Sequence, residues 1–241
     1  MKPKKFKKIA KIITGVIVFF TLPSLLFFGY LYFRYNEDLP QGVQGVEADA
    51  LANKMLESLN YEAYKQTTDI EWTFKNRHHY IWDKENNICS VHWKDYKVVL
   101  HLNYPGRSKA YIHSFDVLDK QRDELVAEAL KYFNNDSFWL VAPYKVFDPG
   151  AERRTVILDN GNKALLVTYT SGGSTPGDSY LWQFDPSGKP MSFKMWTSIL
   201  PIDGLEASWS DWTTTVTGAQ LPTFHKLLFL GLEIKNIKGT R

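Results

Sequence analysis

Hydrophobic positions along the chain change period several times. From Ile12 to Phe33 they are nearly continuous, and 22 residues pass without one charge. Ala48, Leu51, Ala52, Met55, Leu56 and Leu59 then recur at helical spacing, which predicts an amphipathic helix. At Ile70, Trp72 and Phe74 the period drops to two, with Asp69, Glu71, Thr73 and Lys75 between them, the mark of a half-buried strand. Residues 78–83, 88–93, 96–103 and 109–115 follow as strands, separated by Lys-Glu-Asn-Asn, Lys-Asp and Pro-Gly-Arg-Ser turns. Such short spacing predicts an antiparallel meander, because a parallel sheet would need helical crossovers. Helical spacing returns over Asp119 to Phe133, with Asp119 as a cap and Leu125, Ala129, Leu130 and Phe133 on the inner face. Residues 154–159, 163–170, 179–185, 189–196, 206–215 and 232–237 complete the strands.

One stretch fits neither period. NDSFWLVAPYKVFDPG (135–150) is too apolar for a loop and too broken by Pro143 and Pro149 for a regular element. Asn135 and Asp136 are placed to cap a short helix carrying Phe138 to Ala142, which Pro143 would end. The segment suits a lid or plug. The fold class read from these patterns is mainly β with α. It is a strongly curved, open antiparallel sheet, an unclosed β-barrel, with helices on its concave side and one N-terminal transmembrane helix before it.

The continuous apolar run is long enough for a hydrocarbon core of ~30 Å at ~1.5 Å rise per residue. Lys2, Lys4, Lys5, Lys7, Lys8 and Lys11 precede it, and Tyr30, Tyr32, Tyr35 and Arg34 form an interfacial belt at its far end. A cleaved signal peptide is the rival reading. Its apolar region is normally ~7–15 residues and closely followed by a small-x-small site, whereas the A-x-A here (Ala48-Asp49-Ala50) lies far beyond the run. The expected organisation is a basic cytoplasmic tail (1–11), a signal anchor (12–35), a polar linker (36–46) and an exported β domain (47–241). The anchor would cross the cytoplasmic membrane once, N-terminus inside and domain on the periplasmic side.

This division changes the meaning of the charge. Six of the 29 lysines and arginines lie in residues 1–33, leaving 23 against 26 acids in the exported part. A slightly acidic domain removes the main support for nucleic-acid binding. Cys89 is the single cysteine, so no intramolecular disulfide is possible, and its alternation with Val91 and Trp93 reads as a small core thiol.

Candidate chemistry is sparse. His92, His101 and His113 fall on successive strands but lack ligand spacing, and no metal or cofactor is expected. SGGSTPGD (171–178) is neither a nucleophile elbow nor a phosphate loop. Asp178, Asp185, Asp203 and Asp211 lie among tryptophans yet mostly at turns, so no catalytic carboxylate pair is proposed. The expectation is a protein without enzymatic activity. The compositional anomaly is aromatic: 36 of 241 residues are Phe, Tyr or Trp. They either fill a core or line a cavity for an apolar ligand.

Three stretches resemble the LolA/LolB-like lipoprotein-carrier superfamily, specifically its uncharacterised envelope relatives. They are NDSFWLVAPYKVFDPG, FDPSGKPMSFKMW (184–196) with its D-x-x-x-G-x-P turn, and GAQLPT (218–223). The resemblance covers residues 47–238 in layout. It implies an unclosed β-barrel around an apolar cavity that shields acyl chains. A fixed tether departs from the soluble or lipid-anchored carriers of that superfamily. On this reading Phe138, Trp139, Tyr144 and Phe147 form the lid, and Trp72, Phe74, Trp182, Phe184, Phe193 and Trp196 the walls. The expected partners are a lipid or acyl chain, the membrane through the N-terminal helix, and an envelope protein. The alternative is a structural module of an envelope complex with a filled core.

Overall fold

The computed structural model describes the backbone of residues 3–241 and the side chains from residue 7 onward. Lys2 and the side chains of Lys4 and Lys5, part of the basic cluster, lie outside the described residues. Helix α1 (Pro3–Tyr35) contains Pro23 and is long and apolar enough to cross a membrane. Its side chains are exposed along most of its length; toward its end Leu31 and Tyr35 pack against the folded domain, and the Phe27 ring lies 6.3 Å from that of Phe229.

Helix α2 (Val46–Ser58) buries Ala48, Ala52, Met55 and Leu56, the stripe its spacing predicts. A short helix α3 (Tyr61–Gln66) follows after Asn60, which takes a left-handed conformation at φ 57°. The chain then enters a meander: β1 (Asp69–Phe74), β2 (His78–Asp83), β3 (Ile88–Trp93), β4 (Tyr96–His101), β5 (Lys109–Ile112) and β6 (Phe115–Val117). Helix α4 (Asp119–Val141) leads to the second run. Its strands are β7 (Ala151–Ile157), β8 (Lys163–Tyr169), β9 (Ser179–Phe184), β10 (Pro190–Trp196), β11 (Leu205–Ser208), β12 (Ser210–Thr214), β13 (Gln220–Leu227) and β14 (Leu230–Thr240).

All described pairings are antiparallel, and they form one sheet in the order β6-β5-β4-β3-β2-β1-β14-β13-β11-β10-β9-β8-β7, with β12 also on β13. The two runs meet where β1 pairs β14. The sheet is not closed: β6 and β7 are its two edges, and α4 is the connection between them. A helix that leaves one edge and returns at the other lies across the opening, with Leu125, Val126, Ala129, Phe133, Leu140 and Val141 buried.

Four local expectations are corrected. Residues 119–141 form one helix, not a helix to Phe133 followed by a short capped one. Asn134, Asn135, Asp136 and Ser137 are weak helix formers, but Asn134 and Asp136 find partners elsewhere in the fold and do not cap. Asp119 makes no capping bond either; it takes φ 54° at the first helical position, after Leu118. Residues 206–215 are two strands, because at Trp209 the chain turns its backbone N–H to Met191 O (2.7 Å) and buries the indole. Finally, GAQLPT is a turn that enters a full strand, β13, absent from the expected strands, and β14 runs past 232–237 on both sides.

The linker is docked, not free. Val43 exchanges two backbone hydrogen bonds with Thr155 on edge strand β7, at 2.9 and 2.8 Å. Gly42 makes this possible: a Cβ there would stand 2.8 Å from Arg154 Cβ and 3.0 Å from Thr155 O. The cover also protects an otherwise open sheet edge.

Candidate functional site

The face of the sheet under α4 carries two aromatic groups. Strands β1 and β2 place Trp72 and Tyr80 opposite each other, stacked at 4.5 Å and 14°. Trp82 and Phe133 of α4 complete this group, their rings edge-on at 5.3 Å. The second group lies under the C-terminal turns of α4. There Trp182 and Phe193 face each other across β9 and β10 at 5.0 Å, and Trp209 meets them at 4.9 and 5.4 Å. Trp139 covers Phe193 at 5.4 Å, and Phe138 covers Tyr180 at 4.6 Å. Edge-to-face and tilted pairs at these separations add to the burial of the rings.

Two polar latches hold α4 down. Asp136 is 2% exposed, and its Oδ2 accepts a hydrogen bond from the Tyr80 hydroxyl (2.6 Å) and lies 2.7 Å from His78 Nδ1. Burial, then the charge of Asp136 and the hydrogen bond to it, push the Tyr80 hydroxyl far above the ordinary tyrosine pKa. Further along, the fully buried His225 of β13 sits between two carbonyls, Ser208 O at 2.9 Å from Nδ1 and Trp139 O at 2.7 Å from Nε2. Trp139 O belongs to the last turn of α4, where carbonyls lack helical partners, so an Nε2–H tautomer of His225 satisfies it. Burial lowers the His225 pKa to about 4, against the opposing pull of the two carbonyls.

Four indole N–H groups buried here, those of Trp72, Trp82, Trp182 and Trp209, find no acceptor among the described residues. Tyr169, whose ring meets Phe138 and Tyr180, has an equally unpartnered hydroxyl. Each such donor costs free energy unless something accepts from it.

The ten residues expected to line a ligand site occupy five places. Trp72 and Phe74 are buried on β1, and Trp182, Phe193 and half-buried Phe184 belong to the second run of strands. Phe138 and Trp139 are half-buried at the end of α4, above that second group. Tyr144 is separate. It stacks on Tyr64 at 3.9 Å and 4°, and its hydroxyl lies 2.6 Å from Gln220 O and 2.9 Å from Leu59 O. Phe147 is exposed beneath the Arg153 guanidinium (4.2 Å), on the rim of a groove of about 690 Å³ that Leu56, Tyr61 and several acids of α2 and α3 also line. Trp196 stands on the opposite face, with Val156, Ala164, Leu166 and Leu181, and its indole donates to Glu37 O at 2.8 Å.

Sequence reasoning did not find Trp209, Tyr180, Asp136 or His225. Trp209 follows a strand whose break was invisible, and a polar Asp136 within an apolar stretch looked like a cap. The resemblance-bearing turns turn out to be joints. In FDPSGKP, Asp185 Oδ1 accepts from the Ser187 and Lys189 N–H groups, Gly188 takes φ 94°, and Lys54 of α2 donates to Pro186 O at 2.9 Å. In GAQLPT, Gln220 O receives Tyr144.

No family model matches the chain, and no curated protein matches it. Among solved structures it is similar to a DUF1329 family protein from Desulfovibrio piger, at TM-score 0.40 and 9% identity, covering 80% of this chain and 92% of that one. It is also similar to a domain described as an outer membrane lipoprotein-sorting protein, from Vibrio parahaemolyticus, at TM-score 0.35 and 7% identity, over 78% and 93% of the two chains. Both scores are low, and the likeness stops at a loose correspondence of layout.

Proposed function

We propose that this is a membrane-tethered, non-catalytic domain that binds an apolar ligand such as an acyl chain, on the sheet face that α4 covers. The reading rests on the row of buried indole donors without acceptors, which lies under a single helix held by two polar latches. A lipid entering beneath Phe138 and Trp139 would bring carbonyl or ester oxygens to those donors. It would also remove acyl surface from water at ~25 cal/mol per Å². Release of the latches at Asp136 and His225 is the required opening step. The anchor would hold the domain on the periplasmic side of the cytoplasmic membrane, N-terminus inside.

A second reading has its own support. The aromatic rings under α4 are already in mutual contact, and two surface depressions lie elsewhere, at α2–α3 and on the outer face. On that reading the domain is a filled module that docks to an envelope protein.

Native mass spectrometry of the full chain extracted from membranes separates the two. The first reading expects a retained lipid mass, and saturable binding of an apolar dye that Trp139→Ala weakens several-fold. Absence of both lipid and dye binding, in the wild type and in the latch variant Asp136→Asn, would leave the filled module.

A further inference from the structure

The hairpin between β13 and β14 departs from the tight turns of the β1–β6 meander. Lys94-Asp95 and His113-Ser114 join β3 to β4 and β5 to β6 with polar residues. Leu227 pairs with Leu230, so Leu228-Phe229 is the entire β13–β14 turn. Two-residue hairpin turns favour Asn, Asp or Gly because one or both residues need positive φ. Here Leu228 takes φ 54°, a conformation that costs a bulky side chain free energy. Leu228 itself is half-buried and packs on the core, but the residues after it do not: Phe229 is 68% exposed and Leu230 50%. Two adjacent large apolar side chains left open at a turn where polar residues are usual point to a use outside the domain.

The position of the tip says what that use is. Its Phe229 ring lies 6.3 Å from Phe27 of α1. Phe27 is six residues before Phe33, the end of the uncharged run, which places it about 9 Å inside that end at the helical rise. If α1 spans the bilayer, as the functional reading requires, the tip stands at the depth of acyl chains. The rest of the domain's end is held consistently with that depth. The β10–β11 loop is fixed to the helix exit by Glu37 N–H to Asp203 O (3.0 Å) and Asp203 N–H to Asn36 Oδ1 (3.0 Å), and it presents Ile199, 67% exposed.

We infer that the β13–β14 tip is a second membrane-insertion element, buried among lipid acyl chains of the leaflet into which the end of α1 emerges, with Ile199 at the interface. The apolar turn and the helix together fix the domain's tilt, so that it sits on the membrane in one orientation instead of swinging from a tether.

The test uses the full chain in phosphatidylcholine/phosphatidylglycerol nanodiscs, with the buried Cys89 replaced by Ala. Nitroxide labels are placed singly at Phe229→Cys, at Phe20→Cys within α1, and at Asn160→Cys in the β7–β8 turn. Power saturation compares collisions with oxygen, which partitions into lipid, and with a water-soluble nickel chelate. The expected result is oxygen preference at positions 20 and 229 and nickel preference at 160. Oxygen preference at 20 with nickel preference at 229 overturns the insertion while the anchor stands. Nickel preference at 20 overturns the anchor itself, and the insertion with it. A label at 229 shielded from both reagents indicates a protein neighbour or a second copy there, and also overturns the proposal.

Discussion

Strands β1 and β3 bury every second residue and leave the others half exposed, whereas β8 and β9 each bury four residues in a row. Both pairs of strands belong to one continuous sheet, with α4 across its opening. What differs is the other face. In the first run it meets water, and the period-two pattern of DIEWTF and ICSVHW records that directly. In the second run the outer face holds Val156, Ala164, Leu166, Leu181 and Trp196, with Leu158 beside them. Glu37 and Val43 of the linker bond to this region, at Trp196 and Thr155. A sheet buried on both sides needs a second cover, and the segment that follows the apolar helix α1 supplies it. That linker is therefore part of the domain's structure.

The largest effect that sharpens this comparison is expected on the inner face. Trp182→Ala should lower stability by about 3–5 kcal/mol, and Trp196→Ala on the thinner outer cover by less, both read by chemical denaturation. The reverse ranking would break the distinction between a main core and a covering layer. Asp136→Ala, which leaves Tyr80 and His78 without their acceptor, should cost about 3 kcal/mol and loosen α4 in hydrogen exchange before β8 or β9.

Next is the acid response of the second latch. The His225 pKa is lowered from 6.5 to about 4, so as the pH falls the unfolded chain takes up the proton first. Its stabilising contribution is complete above pH 6.5 and is lost between 6.5 and 4, by about 3 kcal/mol. His225→Asn should flatten that part of the stability–pH curve; an unchanged slope would assign it to other groups. Smaller still, Val43→Pro removes the N–H bonded to Thr155 O and should cost about 1–2 kcal/mol. Faster exchange should then appear in β7 and not in β3, and equal exchange in both would detach the linker from the comparison. Lys194→Ala, which breaks the partly exposed pair with Glu37 at 2.6 Å, should cost less than about 1 kcal/mol.

How much of this was legible varies by residue. The alternation of Ile70, Trp72 and Phe74 located β1 because only one of its faces is buried. KALLVTYT and SYLWQFD were legible as strands, but the reason for their unbroken apolar runs lay in residues 36–43, more than a hundred positions away. Among the expected ligand-lining residues, Trp182, Phe193, Phe138 and Trp139 converge. Trp196 does not, because a one-residue difference in parity sends a strand side chain to the other face.

By itself the sequence determined the local periods: an apolar helix, an amphipathic helix at Ala48–Leu59, a run of antiparallel strands, and the polar turns between most of them. These follow from side-chain spacing and turn chemistry within a few residues. Only the tertiary structure decided that residues 119–141 form one helix across the opening, and that Asp136 and His225 fasten it. It also decided that Leu228-Phe229 stands beside Phe27. Those relations depend on hydrogen bonds and contacts between distant segments, for which hydrophobic spacing along the chain carries no signal.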